Sequence, residues 1–91
     1  MSNPIVFTPV QIRDALSSYA MQATDIYRDS IWLYAIPDIF KRPTNEKDEP
    51  LVDALIEQLI SEEYLVPSEH DGIYRRSDKA THFLRKNRIL I

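Results

Sequence analysis

The sequence predicts a single α+β domain, mainly helical with one small β-hairpin. Three observations carry that prediction. Leu51, Val52, Leu55, Ile56, Leu59 and Ile60 recur at helical spacing, with Asp53, Glu57 and Ser61 opposite them. Asp71-Gly72 supplies a tight turn between two short candidate strands, 64–67 and 73–76. Ser77 then restarts a helix as its N-cap, with Asp78 suited to the positive helix start. Helix, strand, turn, strand, helix therefore span residues 50–84, the core of one domain covering 1–91. A chain of this size supports one hydrophobic core.

Composition narrows the function classes. The chain has no cysteine, which excludes a disulfide framework, a thiolate metal site and thiol redox chemistry. No apolar run approaches the roughly 20 residues of a membrane span, and Met-Ser-Asn-Pro lacks the features of a signal peptide. A cytoplasmic protein without membrane contact is the expectation. The net charge of −3 is unevenly spread. Residues 1–74 carry five Lys/Arg against thirteen Asp/Glu, and 75–91 carry six against one. The halves are thus −8 and +5, a polarity that either steers partners or merely aids solubility.

The elements before residue 50 are read in order. Met1–Asn3 are expected to fray, and Ile5-Val6-Phe7 is a candidate short strand. Thr8, Pro9 and Gln11 form a capping box with proline at the first helical position. Ile12, Leu16, Tyr19, Ala23 and Ile26/Tyr27 then recur at steps of three and four. Their spacing predicts an amphipathic helix of about five turns, with Ser17-Ser18 as the place where it can be interrupted. Residues 30–36 are nearly all apolar and fit a buried helix or a buried strand equally well. Ile36 precedes Pro37, and a break is expected there because proline disfavours helical dihedrals in the residue before it. Trp32 and Phe40 are read as core anchors. Residues 41–49 read as a polar, solvated linker loop.

Catalytic signatures are missing. One glycine excludes the glycine-rich phosphate loops and the nucleophile elbow. His70 and His82 are isolated and lack metal-ligand spacing. Ser68, His70 and Asp71 are neighbours in one tight loop, where side chains rarely face one another as a triad requires. The expectation is a protein that is not an enzyme and binds no cofactor or metal.

Residues 50–84 resemble the C-terminal half of winged helix-turn-helix regulators of the MarR and PadR kind. Glu63-Tyr64-Leu65-Val66 stands where that family leaves its recognition helix. Ile73-Tyr74-Arg75-Arg76-Ser77-Asp78-Lys79-Ala80 stands where the second wing strand meets the next helix. The family usually has glycine where Glu63 and Ala80 fall. The resemblance implies a winged helix-turn-helix fold and a DNA-binding transcriptional regulator, commonly a dimer on two half-sites. It carries no base-reading residue over to the helix before the wing, because Asp53 and Glu57 would be repelled by phosphates. Gln58 is the nearest candidate there, flanked by apolar residues.

Two functions follow as expectations. In the first, Arg75, Arg76, Lys79, Arg85, Lys86 and Arg88 contact the phosphates of double-stranded DNA. Arg75 and Arg76 must point to opposite faces of a strand, so at most one extends outward, and a carboxylate such as Glu62, Glu63 or Glu69 is a candidate partner for the other. In the second, the domain is a protein-interaction module. It docks through Asp53 and Glu57, or through the apolar Ile89-Leu90-Ile91, which otherwise packs on the core or forms a homodimer contact.

Overall fold

The capping box at Thr8 is present as the sequence implies. The Thr8 hydroxyl accepts from the Gln11 N–H at 3.2 Å, and the Gln11 side chain accepts from the Thr8 N–H at 2.9 Å. Helix α1 (Pro9–Leu16) follows, burying Ile12, Ala15 and Leu16. The computed structural model describes residues 4–89. The expectations for Met1–Asn3, Leu90 and Ile91 lie outside the described residues.

The first correction comes at Ser17-Ser18. The helix stops there instead of running five turns. Ser18 is extended and caps a 3-10 turn, Tyr19–Gln22, its hydroxyl accepting from the Ala20 N–H at 3.3 Å. That local bond offers the backbone an alternative to continuing the helix. Tyr19 is consequently 67% exposed. Ile26 reaches the core from a strand, β1 (Asp25–Tyr27). Residues 5–7 form no strand.

The second correction concerns Pro37. Residues 28–40 form one helix, α2, in which Arg28–Ser30 and Ile36–Phe40 are α-helical and Ile31–Ala35 is π-helical. Ile36 keeps helical dihedrals (φ −62°, ψ −47°) and donates its N–H to Ile31 O. The wider turn carries the helix through a proline that would clash with the carbonyl four residues back in a regular α-helix. Neither Ile36 nor Pro37, which has no N–H, serves Trp32 O. The Thr44 hydroxyl donates to it instead. Lys41, at φ 59°, then ends the helix.

Residues 41–49 are tied down more closely than a solvated linker would be. Asn45 caps a 3-10 turn, Glu46–Asp48, in which Asp48 is 4% exposed. Its carboxylate accepts from both terminal nitrogens of Arg42 at 2.7 and 2.9 Å and from the Asn45 N–H at 2.9 Å. Helix α3 (Glu49–Ser61) follows with Pro50 in its first turn. It buries Val52, Leu55, Ile56 and Leu59 and leaves Asp53 and Glu57 exposed, as its pattern implies. Glu63 adopts φ 67° just past its end, and the Tyr64 N–H closes back to Leu59 O at 2.8 Å. This is a Schellman end with glutamate where glycine is preferred.

The hairpin comprises β2 (Leu65–Pro67) and β3 (Ile73–Arg76), with Gly72 at φ 76° in the turn. The sheet has three antiparallel strands in the order β1-β3-β2, aligning Ile26 with Tyr74 and Val66 with Arg75. Helix α4 (Asp78–Lys86) is capped by Ser77, whose hydroxyl accepts from the Ala80 N–H at 3.1 Å. Arg88 (φ 60°) and the bond from the Ile89 N–H to Leu84 O make a second Schellman end.

The result is a compact single globule, mostly helical with a small three-stranded antiparallel sheet. Its radius of gyration is 12.4 Å, close to the roughly 12 Å of a compact chain of this length. Leu16, Met21, Ile26, Ile31, Leu55, Leu59 and Leu84 sit in one core with partly buried Trp32, Phe40 and Ile89 against it. Among the described residues no helix is long and apolar enough to cross a membrane.

Candidate functional site

The six C-terminal cations fall into different settings. Arg75 and Arg76 are neighbours on β3 and alternate across the sheet. Arg75 points outward, with its side chain 70% exposed and Asp25 3.9 Å away. Arg76 turns inward. Its Nε donates to the Thr81 hydroxyl at 2.9 Å, and one terminal nitrogen donates to Met21 O at 2.8 Å and Ala23 O at 3.3 Å. It thus ties the 3-10 turn, β3 and α4 together, with backbone carbonyls as partners instead of the expected carboxylate.

Lys79 also has an internal task. Its Nζ donates to Glu62 O at 2.7 Å and lies 4.3 Å from the Tyr64 ring centre. A cation there satisfies a carbonyl left over at the C-terminal end of α3 and favours the helix dipole. Arg85, Lys86 and Arg88 are exposed at the end of α4. They form no ion pair among the described residues.

The outer face of α3 has the opposite sign. Glu49, Asp53 and Glu57 follow one another at four-residue steps, so they share a face. Arg28 reaches this face from the start of α2. It donates to Asp53 Oδ1 through Nε at 3.1 Å and through a terminal nitrogen at 2.9 Å, and it also pairs with Glu49. Hydrogen bonding to Glu49, then to Asp53, raises the Arg28 pKa above its ordinary value. The Arg28 backbone N–H meanwhile donates to Gly72 O at 2.8 Å, so one residue links α2, α3 and the hairpin turn.

Residues 48–74 contain eight Asp/Glu and no Lys or Arg. They supply both α3 and the hairpin loop, where Glu69 and Asp71 are exposed. Arg28 offsets part of that charge, and Glu57 forms no ion pair among the described residues. The loop holds its shape through Ser68, whose hydroxyl donates to Ile73 O at 2.7 Å and accepts from the His70 N–H at 3.1 Å. The Ser68 hydroxyl therefore serves backbone groups and not His70's ring. Among the described residues no group of three or more His, Asp or Glu converges as metal ligands.

Beside α3 runs a shallow groove. Ile5 and Val6, 42% and 72% exposed, form one wall, and Ala54, Glu57, Ser61 and Glu62 form the other. Gln58 fastens the two walls. Its Oε1 accepts from the Phe7 N–H at 2.7 Å, and its Nε2 donates to Phe7 O at 2.9 Å and to Glu62 at 2.7 Å. Gln58 is half-buried and committed to this pairing.

Sequence reasoning placed Asp53 and Glu57 on the exposed face but missed Arg28, the residue that braces it. Nothing local marks Arg28, because its partners Glu49 and Asp53 are 21 and 25 residues away. The groove-wall residues Ile5 and Val6 carried one signal, the apolar run read as a candidate strand, which forms no strand in the structure. Comparison with protein-family models, with curated proteins and with solved structures returned no match for this chain.

Proposed function

We propose that this chain is a non-enzymatic winged-helix module that docks onto a basic protein surface through the acidic face of α3. The winged-helix part is supported by the hairpin between α3 and α4, the helix pair before it, and the strand β1 completing the sheet against β3. The observation that carries the interaction part is the absence of Lys and Arg from residues 48–74, which supply α3 and the hairpin turn. In DNA-reading winged helices the helix before the wing enters the major groove, between rows of backbone phosphates. Glu49, Asp53, Glu57, Glu69 and Asp71 would instead meet them with like charge, which favours a cationic partner.

Arg28 pairs with Asp53 and Glu49 and offsets their charge, so Glu57 is the carboxylate of this face with no ion pair among the described residues. The test is fluorescence anisotropy with a labelled amphipathic peptide rich in Lys and Arg. Binding at about 20 mM salt should weaken at least tenfold in Glu57→Lys and in Asp53→Lys/Glu57→Lys, since a rim charge mainly steers encounter. Equal binding by wild type and both variants contradicts the proposal.

DNA binding remains the second reading, favoured by the exposed Arg75, Arg85, Lys86 and Arg88. Contact through these residues would be backbone-directed and salt-sensitive.

A further inference from the structure

We infer that the groove beside α3 receives the basic end of α4 from a second copy of this chain. This rests on the reading of α3 as a contact surface and names its occupant. The groove combines two chemistries. Ile5, Val6 and Ala54 give it an apolar lining, and Glu57 and Glu62 stand at its edge. Its natural occupant carries long apolar stems ending in cations, because Lys and Arg cover apolar surface with their methylenes while the charged head stays near water.

The chain itself presents that occupant. Arg85, Lys86 and Arg88 cluster at one helix end, all exposed and outside any ion pair among the described residues. Glu57 has no cationic partner within the chain among the described residues, and Glu62 accepts from the neutral Gln58 amide. The opposite charge of the two sections, −8 for residues 1–74 and +5 for 75–91, makes each copy complementary to the next.

Because donor and acceptor are different patches, copies join either reciprocally about a two-fold axis or head to tail in chains and rings. Exposed charge pairs are individually weak and screened by salt. The association is therefore weak, and at least tenfold weaker at about 500 mM than at about 20 mM salt.

Sedimentation velocity of the full chain between about 5 and 500 μM tests this. The sedimentation coefficient should rise with concentration at low salt and stay at the monomer value at high salt. Glu57→Lys alone and Arg85→Glu/Lys86→Glu/Arg88→Glu alone should each reduce association at low salt. An equimolar mixture of these two oppositely altered variants should recover association at low salt. All the changed side chains are exposed, and circular dichroism confirms that each variant is folded. A wild type that stays monomeric throughout the low-salt series overturns the inference. So does association unchanged in both variants. If the wild type stays monomeric yet binds the basic peptide, only the identity of the occupant fails. If it does neither, the reading of α3 fails with it.

Discussion

The Gln58 side chain pairs with both backbone groups of Phe7, its oxygen accepting from the N–H at 2.7 Å and its amide donating to the carbonyl at 2.9 Å. A side-chain amide here does what a neighbouring strand would do. It anchors Phe7, 4% exposed and tilted against Phe40 at 6.2 Å between ring centres, to the middle of α3. Replacing Gln58 with Leu removes both bonds and leaves part-buried backbone groups unpaired. The expected loss is about 1–3 kcal/mol, read from urea denaturation. A loss below about 0.5 kcal/mol would mean the pairing adds nothing beyond an ordinary surface contact.

Thr44 and Pro37 make a second coupled pair. Pro37 supplies no N–H for Trp32 O, and the Thr44 hydroxyl takes that place. Thr44→Val should therefore destabilise the protein by about 1–3 kcal/mol. Pro37→Ala restores a donor within reach of that carbonyl, so Thr44→Val should cost less in the Pro37→Ala background. A double-mutant cycle reads the difference, and strictly additive effects would show that the two residues do not share the carbonyl.

Glu63 occupies left-handed backbone at φ 67° where a helix end prefers glycine. Glu63→Gly should raise stability by about 0.5–1 kcal/mol, by relieving the side-chain conflict of that conformation. Gly72→Ala, at φ 76°, should act in the opposite direction by about 1 kcal/mol. Thermal melts of the two variants check the sign of each.

Asp48 sets an acid limit. Hydrogen bonding from Arg42, then from the Asn45 N–H, lowers its pKa from 3.8 to about 2. A depressed carboxylate contributes stability that is fully present above the unfolded pKa and disappears as pH falls through the folded value. The melting temperature should therefore drop between about pH 4 and pH 2. In Asp48→Asn that part of the slope should vanish, while other carboxylates keep theirs. Melts in 0.5-unit steps, roughly the resolution a single titration needs, separate the two profiles.

The second half of the chain was more legible than the first, for physical reasons. The face of α3, the Asp71-Gly72 turn and the Ser77 cap are local signals, each encoded within a few residues. The strand at 25–27 is three residues long and exists because it pairs with Ile73, Tyr74 and Arg75, almost fifty positions later. Spacing from Ile12 to Tyr27 mimics a helix until Ser18 diverts the backbone. The break expected at Ile36 is absorbed by a π-turn that only the packed helix reveals. The destinations of Arg76 and Lys79 are non-local too. As charges they match the exposed Arg85 and Lys86, and only their partners Met21 O and Glu62 O separate them.

The central claim is that α3 and the hairpin face a cationic partner and not phosphate. A duplex-DNA gel shift at about 20 mM and about 150 mM salt tests it most directly, because phosphate contacts are strongest at the lower salt. The wild type should show no retardation at either salt. Retardation at low salt that disappears in Arg75→Ala/Arg85→Ala/Lys86→Ala/Arg88→Ala, with the fold intact by circular dichroism, would contradict it.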